Sequence, residues 1–314
     1  MELIAQLANL RSLTLIINSM LTNQTAFTLV NPQTGNLAFR LFSFDDNSNF
    51  DHLQRHNYYT IVWVTKGNGR LRANFAEYDF EQGSLFAFAI YQPFMILADG
   101  PLEGFVLNFH PDFFCIHKHD KEVACHGVLF NNIYEPPIVR VDEQCVPVFN
   151  MVLEQMKTEM QNPALAQYEL LMSYLKIFLI TAVRLKTEQQ PGSHKVLLAR
   201  KEPFILQNLK DAIETHFKQK HSASEYADML NISPKALAKI AKNHFNRTLT
   251  DMIAERIIIE AKRELYLTNK PVKTIAFELG YDDEYYFSRF FKNNADVSPQ
   301  LYRDTVGAGR AEVA

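Results

Sequence analysis

The sequence predicts a two-domain α+β chain. A small β-barrel or double-sheet jelly roll with a helical pair comes first, and an all-α domain with two helix-turn-helix units follows. Three observations predict it. Residues 37 to 110 alternate short β-branched and aromatic runs with Gly-rich turns. A polar stretch with Pro191-Gly192 follows two apolar helical patterns, as a domain boundary should. Residues 222 to 304 then hold one motif twice, aligned at an offset of 50 from Ser233 onward. With 314 residues, 47% of them apolar, two domains are the natural expectation.

The strands are expected in order. Leu37 to Phe44 alternates around Phe39, Leu41 and Phe42, and Tyr58 to Thr65 is β-branched and aromatic. Lys66-Gly67-Asn68-Gly69 reads as a hairpin turn, with Arg70 to Phe75 returning. Glu81-Gln82-Gly83-Ser84 turns into Leu85 to Ile90, and Gln92 to Ala98 and Glu103 to Phe109 complete the set. The barrel thus spans about 37–141.

Two helices are expected next, within about 143–187. Glu143 to Met160 puts Val146, Phe149, Leu153 and Met156 on one stripe. Leu165 to Leu185 is apolar over more than one face, with Leu170, Leu171, Tyr174, Phe178, Leu179 and Ala182. Such a helix needs cover. Part should come from the neighbouring helix and barrel, and part from a second copy, with Leu171 and Phe178 as candidate interface positions. Lys186 to His194 reads as polar linker. The divisions are 1–190, a linker at 191–202, an all-α domain at 203–304 and a tail at 305–314. A leading helix is expected over Phe204 to His216.

Each copy of the motif has its own local chemistry. Ala227 or Ala276 is the small residue where a second helix crosses, and Asn231 or Gly280 can take a left-handed turn conformation. Ser233-Pro234 is an N-cap followed by proline at the first helical position. Leu237, Ile240 and Ala241 sit at core spacing, as do Phe287, Phe290 and Phe291. The units occupy about 222–246 and 272–294. Between them, Thr248-Leu249-Thr250-Asp251 opens a long helix to Thr268, with Leu249, Ile253, Ile257, Ala261 and Leu265 as its stripe.

The run Ile275-Ala276-Phe277-Glu278-Leu279-Gly280-Tyr281, then Tyr286-Phe287-Ser288-Arg289-Phe290-Phe291-Lys292, then Val297-Ser298-Pro299 and Tyr302-Arg303, resembles the DNA-binding domain of AraC/XylS transcription regulators. The resemblance covers about a third of the chain. It implies seven helices, double-stranded DNA as partner, RNA polymerase as a further partner, and a homodimer. Ala295-Asp296 stands where that family usually has a glycine.

Two such units could present helices to successive major grooves, about 34 Å apart. Positions carried over as DNA contacts are Lys235, Ala238 and Lys239 in the first unit, and Glu284, Tyr285, Tyr286 and Arg289 in the second. Arg289 is the best candidate for a guanine, since its fork can bond O6 and N7 together. Lys242 and Lys292 lie further along and suit phosphates. Glu284 also fits a first-turn acid favoured by the helix dipole. Ala236 and Ala238 cannot hydrogen-bond a base, so the first helix is lean. Charge is not diagnostic: residues 201–304 hold 16 Lys+Arg and 15 Asp+Glu, within a whole-chain balance of −3. Positive charge must therefore be concentrated on one face, with marked salt dependence of binding.

The order of strands resembles the cupin-like sensor domain often attached to this reader, through Tyr58-Tyr59-Thr60-Ile61, Lys66-Gly67-Asn68-Gly69 and Gly83-Ser84-Leu85-Phe86. The alternative is a cupin-type enzyme or small-molecule binding protein with a helical appendage. Metal cupins place a His-x-His pair and a later His on the barrel. Here Gln54-Arg55-His56 keeps one histidine, and Ile90-Tyr91-Gln92-Pro93-Phe94 keeps none. That is too few ligands for a catalytic metal, so no catalytic residue, no metal and no cofactor are expected. A small, largely apolar effector is expected instead, with His56, Arg40, Arg70 and Trp63 as candidate contacts. The cluster Cys115, His117, His119, Cys125 and His126 offers ligands for a soft metal or redox site, but it has no usual Cys spacing and is read first as a surface loop of histidines beside a buried cysteine. Three cysteines without paired spacing suit a reducing cytoplasm. No apolar run approaches a membrane span, and Met1 to Met20 lacks the marks of a signal peptide.

Overall fold

Two antiparallel sheets close over a shared aromatic core in the N-terminal half of the computed structural model, which describes residues 26–32, 35–74, 76–123, 127–189 and 204–306. The strands are β1 Phe27–Val30, β2 Leu37–Phe44, β3 Tyr59–Lys66, β4 Gly69–Ala73, β5 Ala76–Phe80, β6 Ser84–Phe88, β7 Phe94–Ala98, β8 Glu103–Phe109 and β9 Ile138–Arg140. One sheet runs β1-β2-β8-β3-β6-β9 and the other β5-β4-β7.

Alternation assigns the faces. On β2, β3 and β8, Phe44, Val62, Val64 and Val106 point between the sheets, where Leu71, Phe80, Phe86, Phe88, Phe94 and Ile96 meet them. The opposite face, with Phe39, Leu41, Tyr59, Ile61, Trp63, Leu107 and Phe109, is covered by helices. β3 is buried on both faces because it lies between the two layers. Phe88 and Phe94 stack at 3.9 Å, so aromatic rings fill much of the space between the sheets.

The expected strands are present, with differences at their joins. Lys66 to Gly69 is not a hairpin: β3 pairs with β6 and β8, while β4 pairs with β5 and β7. The turn carries the chain from one sheet to the other. A Cβ at Gly69 would overlap the Leu97 carbonyl of β7, so that close approach needs glycine. Strands β1, β5 and β9 were not expected. They are three to five residues long, too short for a periodic signal.

After a short α1 (Asp120–Val123) come α2 (Val146–Gln161) and α3 (Gln167–Gln189). Phe149, Val152, Leu153 and Met156 of α2 are buried. Leu171 and Phe178 of α3 are buried within the chain, with Phe178 edge-on to Phe149 at 4.6 Å. They are therefore not free to face a second copy, which corrects the expectation for that helix. Its exposed apolar residues are Leu170 and Ile177. The expected linker also begins too early. Helix α3 continues to Gln189, and Lys186 is held inside by the carbonyls of Pro136 and Ile138, both at 2.7 Å. Residues 190–203, including most of the expected linker, lie outside the described residues.

Seven helices follow among the described residues, the number the resemblance implied: α4 Phe204–His216, α5 Ala223–Met229, α6 Pro234–Phe245, α7 Leu249–Leu267, α8 Val272–Glu278, α9 Glu284–Ala295 and α10 Pro299–Val306. Thr248 caps α7 by accepting from Asp251 N at 3.1 Å. The whole stripe Leu249, Ile253, Ile257, Ala261 and Leu265 is buried. No helix among the described residues is long and apolar enough to cross a membrane.

This helical domain sits directly on the β-domain. Arg247 Nη1 donates to Ile133 O at 3.1 Å and pairs with Glu255, which also accepts from Asn74. Lys262 Nζ donates to Ile90 O at 2.9 Å, and Tyr91 shares a hydrogen bond of 2.7 Å with Thr305. Burial of Lys262 holds its ammonium down at about 8.

Candidate functional site

Both helix-turn-helix units are built as their residues dictate. In the first, Ser222 and Glu225 form a reciprocal capping box on α5. Asn231 takes φ 53 in the turn, and Ser233 accepts from Ala236 N at 3.2 Å to start α6. In the second, Gly280 takes φ 80, and a Cβ there would overlap the Lys218 carbonyl. Asp283 starts α9 by accepting from Tyr285 N at 2.8 Å.

Inward residues leave a matching outward face on each reader helix. Leu237, Ala241 and Phe245 of α6 are buried, as are Phe287, Phe291 and Ala295 of α9. Lys235, Ala238, Lys239 and Lys242 are exposed on α6; Tyr285, Tyr286, Arg289 and Lys292 are exposed on α9. Glu284 is half-buried in the first turn of α9. Lys242 Nζ lies 3.4 Å from Asn246 O, so its ammonium stands at the helix end rather than its middle. Tyr285 and Tyr286 are 79% and 57% exposed, an unusual display for two adjacent aromatics in water.

The long helix α7 holds the units in one frame. Glu260, on α7, is buried, with Lys218, Arg256 and Arg263 at 3.2, 3.4 and 3.2 Å. Burial pushes its carboxyl up, but the three cations outweigh that and hold it below the usual range. Lys270 bridges Glu264 of α7 and Glu278 of α8 at 2.9 and 2.7 Å.

The β-domain brings together two of the four candidate effector contacts. Arg40, Asn108 and Thr60 are opposite one another on β2, β8 and β3, on the face that points between the sheets. His56 shares a hydrogen bond of 3.2 Å with Thr60, and another of 3.0 Å with Gln54. It stacks on Tyr58 at 4.7 Å. Burial, with the Arg40 charge beside it, holds His56 down to about 4, so its ring is neutral at pH 7. Arg40 Nε and Asn108 Oδ1 are buried without a hydrogen-bond partner, an arrangement that costs about 1–3 kcal/mol per group.

Arg70 and Trp63 stand apart from this group. Arg70 is exposed on β4 near Glu77, and Trp63 packs against Phe149 at 5.6 Å on the helical side of its sheet. Sequence reasoning missed Asn108 and Thr60. Their signal was a polar residue at an inward position of an otherwise apolar strand, visible only once the register was known.

In the histidine and cysteine run, Cys115 is buried, while His119 stacks on Phe114 at 4.7 Å and pairs with Glu122 at 3.2 Å. Cys125 and His126 lie outside the described residues.

Comparison with known proteins places both halves. Residues 226–305 match the model of a helix-turn-helix domain, and residues 36–172 that of an AraC-like ligand binding domain. The chain is similar to the regulatory protein SoxS of Escherichia coli (strain K12), with 32% identity over 99 residues, covering 32% of this chain and 92% of SoxS. It is similar to the HTH-type transcriptional activator Btr of Bacillus subtilis (strain 168), with 35% identity over 84 residues; the match spans 27% of this chain and 16% of Btr. A structure of apo ToxT from Vibrio cholerae matches with a TM-score of 0.39 and 16% identity, over 87% of this chain and 99% of ToxT. On the SoxS match and the two domain matches, the chain belongs to the AraC/XylS family of transcription regulators.

Proposed function

We propose that this chain is a sequence-specific DNA-binding transcription regulator whose β-domain binds a small-molecule effector. The observation that carries the reading is the pair of equivalent reader faces on α6 and α9. They are fifty residues apart, capped alike, exposed alike and tied to one long helix. Arg289 and Lys239 read bases, Tyr285 and Tyr286 offer apolar contact to thymine methyls, and Lys242 and Lys292 meet phosphates. Ala238 allows close approach, and Glu284 serves as a first-turn acid.

In this reading the two sheets form a cupin-like jelly roll, and His56 and Arg40 are the polar anchors of the effector site. The protein acts in the cytoplasm as a homodimer, with Leu170 and Ile177 on the exposed side of α3, and contacts RNA polymerase when bound upstream. A gel shift on DNA flanking its own gene tests the reading. Retarded migration that random DNA does not compete away is expected; equal competition by random DNA would remove sequence specificity from the account.

A further inference from the structure

Three polar side chains interrupt the apolar face between the sheets, and they fall in one row. Arg40 on β2 is directly opposite Asn108 on β8, which is directly opposite Thr60 on β3. Elsewhere on this face the same strands carry Phe42, Phe44, Val62, Val64 and Val106. Thr60 is satisfied by His56. The other two are not. The Arg40 side chain forms no ion pair or hydrogen bond with any described residue, although it is half-buried and lies 4.6 Å over the Phe42 ring. Its Nε is sealed from solvent and unpartnered. Asn108 is 3% exposed, and its Oδ1 is equally unpartnered.

The row therefore offers one guanidinium without a counter-ion among the described residues and one buried, unpartnered acceptor, side by side. A guanidinium is matched geometrically by a carboxylate, which takes two parallel N–H bonds. An amide oxygen is matched by a hydroxyl or N–H donor. Neutral His56 adds no second positive charge, so a single carboxylate balances the site. Tyr58 and Phe94 pack against His56, and Phe42 lies under Arg40, so the surroundings of the row are apolar.

We propose that the row Arg40, Asn108 and Thr60 is the anion-recognition end of the effector site, and that its ligand is a small organic acid with a hydrogen-bond donor next to the carboxylate. A 2-hydroxy acid is the simplest such molecule. Arg40 grips the carboxylate, and Asn108 Oδ1 accepts from the neighbouring hydroxyl. Thr60 and His56 hold the floor of the site. This rests on the reading of the β-domain as the ligand-binding half and gives that half a substrate class.

The test is calorimetry and thermal shift on the full chain with lactate and 2-hydroxy-4-methylpentanoate, using lactamide as a neutral isostere and glycerol as a neutral polyol. The acids should bind, with lactamide at least about tenfold weaker, and Arg40→Met should weaken the acids by about 10- to 100-fold, in line with loss of a charge-assisted hydrogen-bond pair. Asn108→Leu should abolish the preference for a 2-hydroxy acid over its deoxy analogue. Equal binding of acid and amide, acid binding undiminished in a folded Arg40→Met, or no response to any of the acids would overturn the proposal. Should Arg40→Met fail to fold by circular dichroism, the acid-to-amide ratio on the wild-type chain decides alone. A parallel gel shift separates this from the broader reading. A chain that binds its operator yet ignores acids loses only the ligand class, whereas a chain that binds acids but no specific DNA loses the regulator reading.

Discussion

Asn246 and Asp296, fifty residues apart, end the two reader helices with the same left-handed backbone, at φ 56 and φ 61. The family's usual glycine is absent from the second site, and Asp296 itself takes the conformation that glycine would have taken. Both residues also touch the β-domain: Asp296 pairs with Arg55, and Asn246 Nδ2 lies 3.5 Å from Glu77 O. The sensor half thus contacts both reader helices at equivalent positions.

The shared backbone predicts a matched pair of stability effects. Asp296→Gly should stabilise the isolated helix end by about 0.5–1 kcal/mol, partly offset by loss of an exposed ion pair. Asn246→Ala should cost about 1 kcal/mol, because alanine tolerates the left-handed region poorly. Urea unfolding of both variants checks the signs, which should be opposite.

Much of the helical half was legible because its signals are local. Ser233-Pro234, Gly280, Asn231 and the stripe from Leu249 to Leu265 each specify structure within a few residues, and each stands where the sequence placed it. The β-domain was less legible because strand pairing is non-local. Gly67 and Gly69 have the chemistry of a hairpin, but whether β4 returns on β3 or crosses to a second sheet depends on β7, about thirty residues away. The effector row was hidden for the same reason. Arg40 was visible as a charged residue in a strand, whereas its alignment with Asn108 and Thr60 depends on register. The mistaken interface at Leu171 and Phe178 has another origin. Apolar composition shows that a helix needs cover on several faces, but not which faces the same chain supplies.

Phe178→Glu should therefore unfold the N-terminal half rather than separate a dimer, since it places a charge against Phe149 in the core. Ile177→Glu, at a position 44% exposed, should leave circular dichroism unchanged and lower the sedimentation coefficient if α3 is the dimer surface. A folded Ile177→Glu chain that sediments no differently from a wild type found to be dimeric would move the interface elsewhere.

His56 gives a pH dependence of definite sign. Its folded value of about 4 lies below the ordinary 6.5, so the unfolded chain binds the proton more readily. The contribution is fully present above pH 6.5 and is lost as pH falls from 6.5 to 4, amounting to on the order of 3 kcal/mol. His56→Gln should flatten the stability profile in that window. Unfolding midpoints that fall equally in both proteins between pH 6.5 and 4 would assign the acid sensitivity to other groups.

Lys242→Ala should weaken binding to operator and random DNA alike and lower the salt slope by about one unit, because a phosphate contact carries no sequence information. Loss on the operator alone, with the slope unchanged, would make Lys242 a base-reading residue.

The central claim is that the exposed face of α9 reads bases, and Arg289 tests it most directly. It is exposed one turn inside the helix, between buried Phe287 and half-buried Phe290. Binding of wild type and Arg289→Ala to a regulatory fragment, and to the same fragment with each guanine replaced in turn, is the measurement. The account predicts a loss of about 1–3 kcal/mol, unchanged circular dichroism, and indifference of the variant to one guanine that the wild type requires. Equal affinity and equal base preference in the two proteins would contradict it.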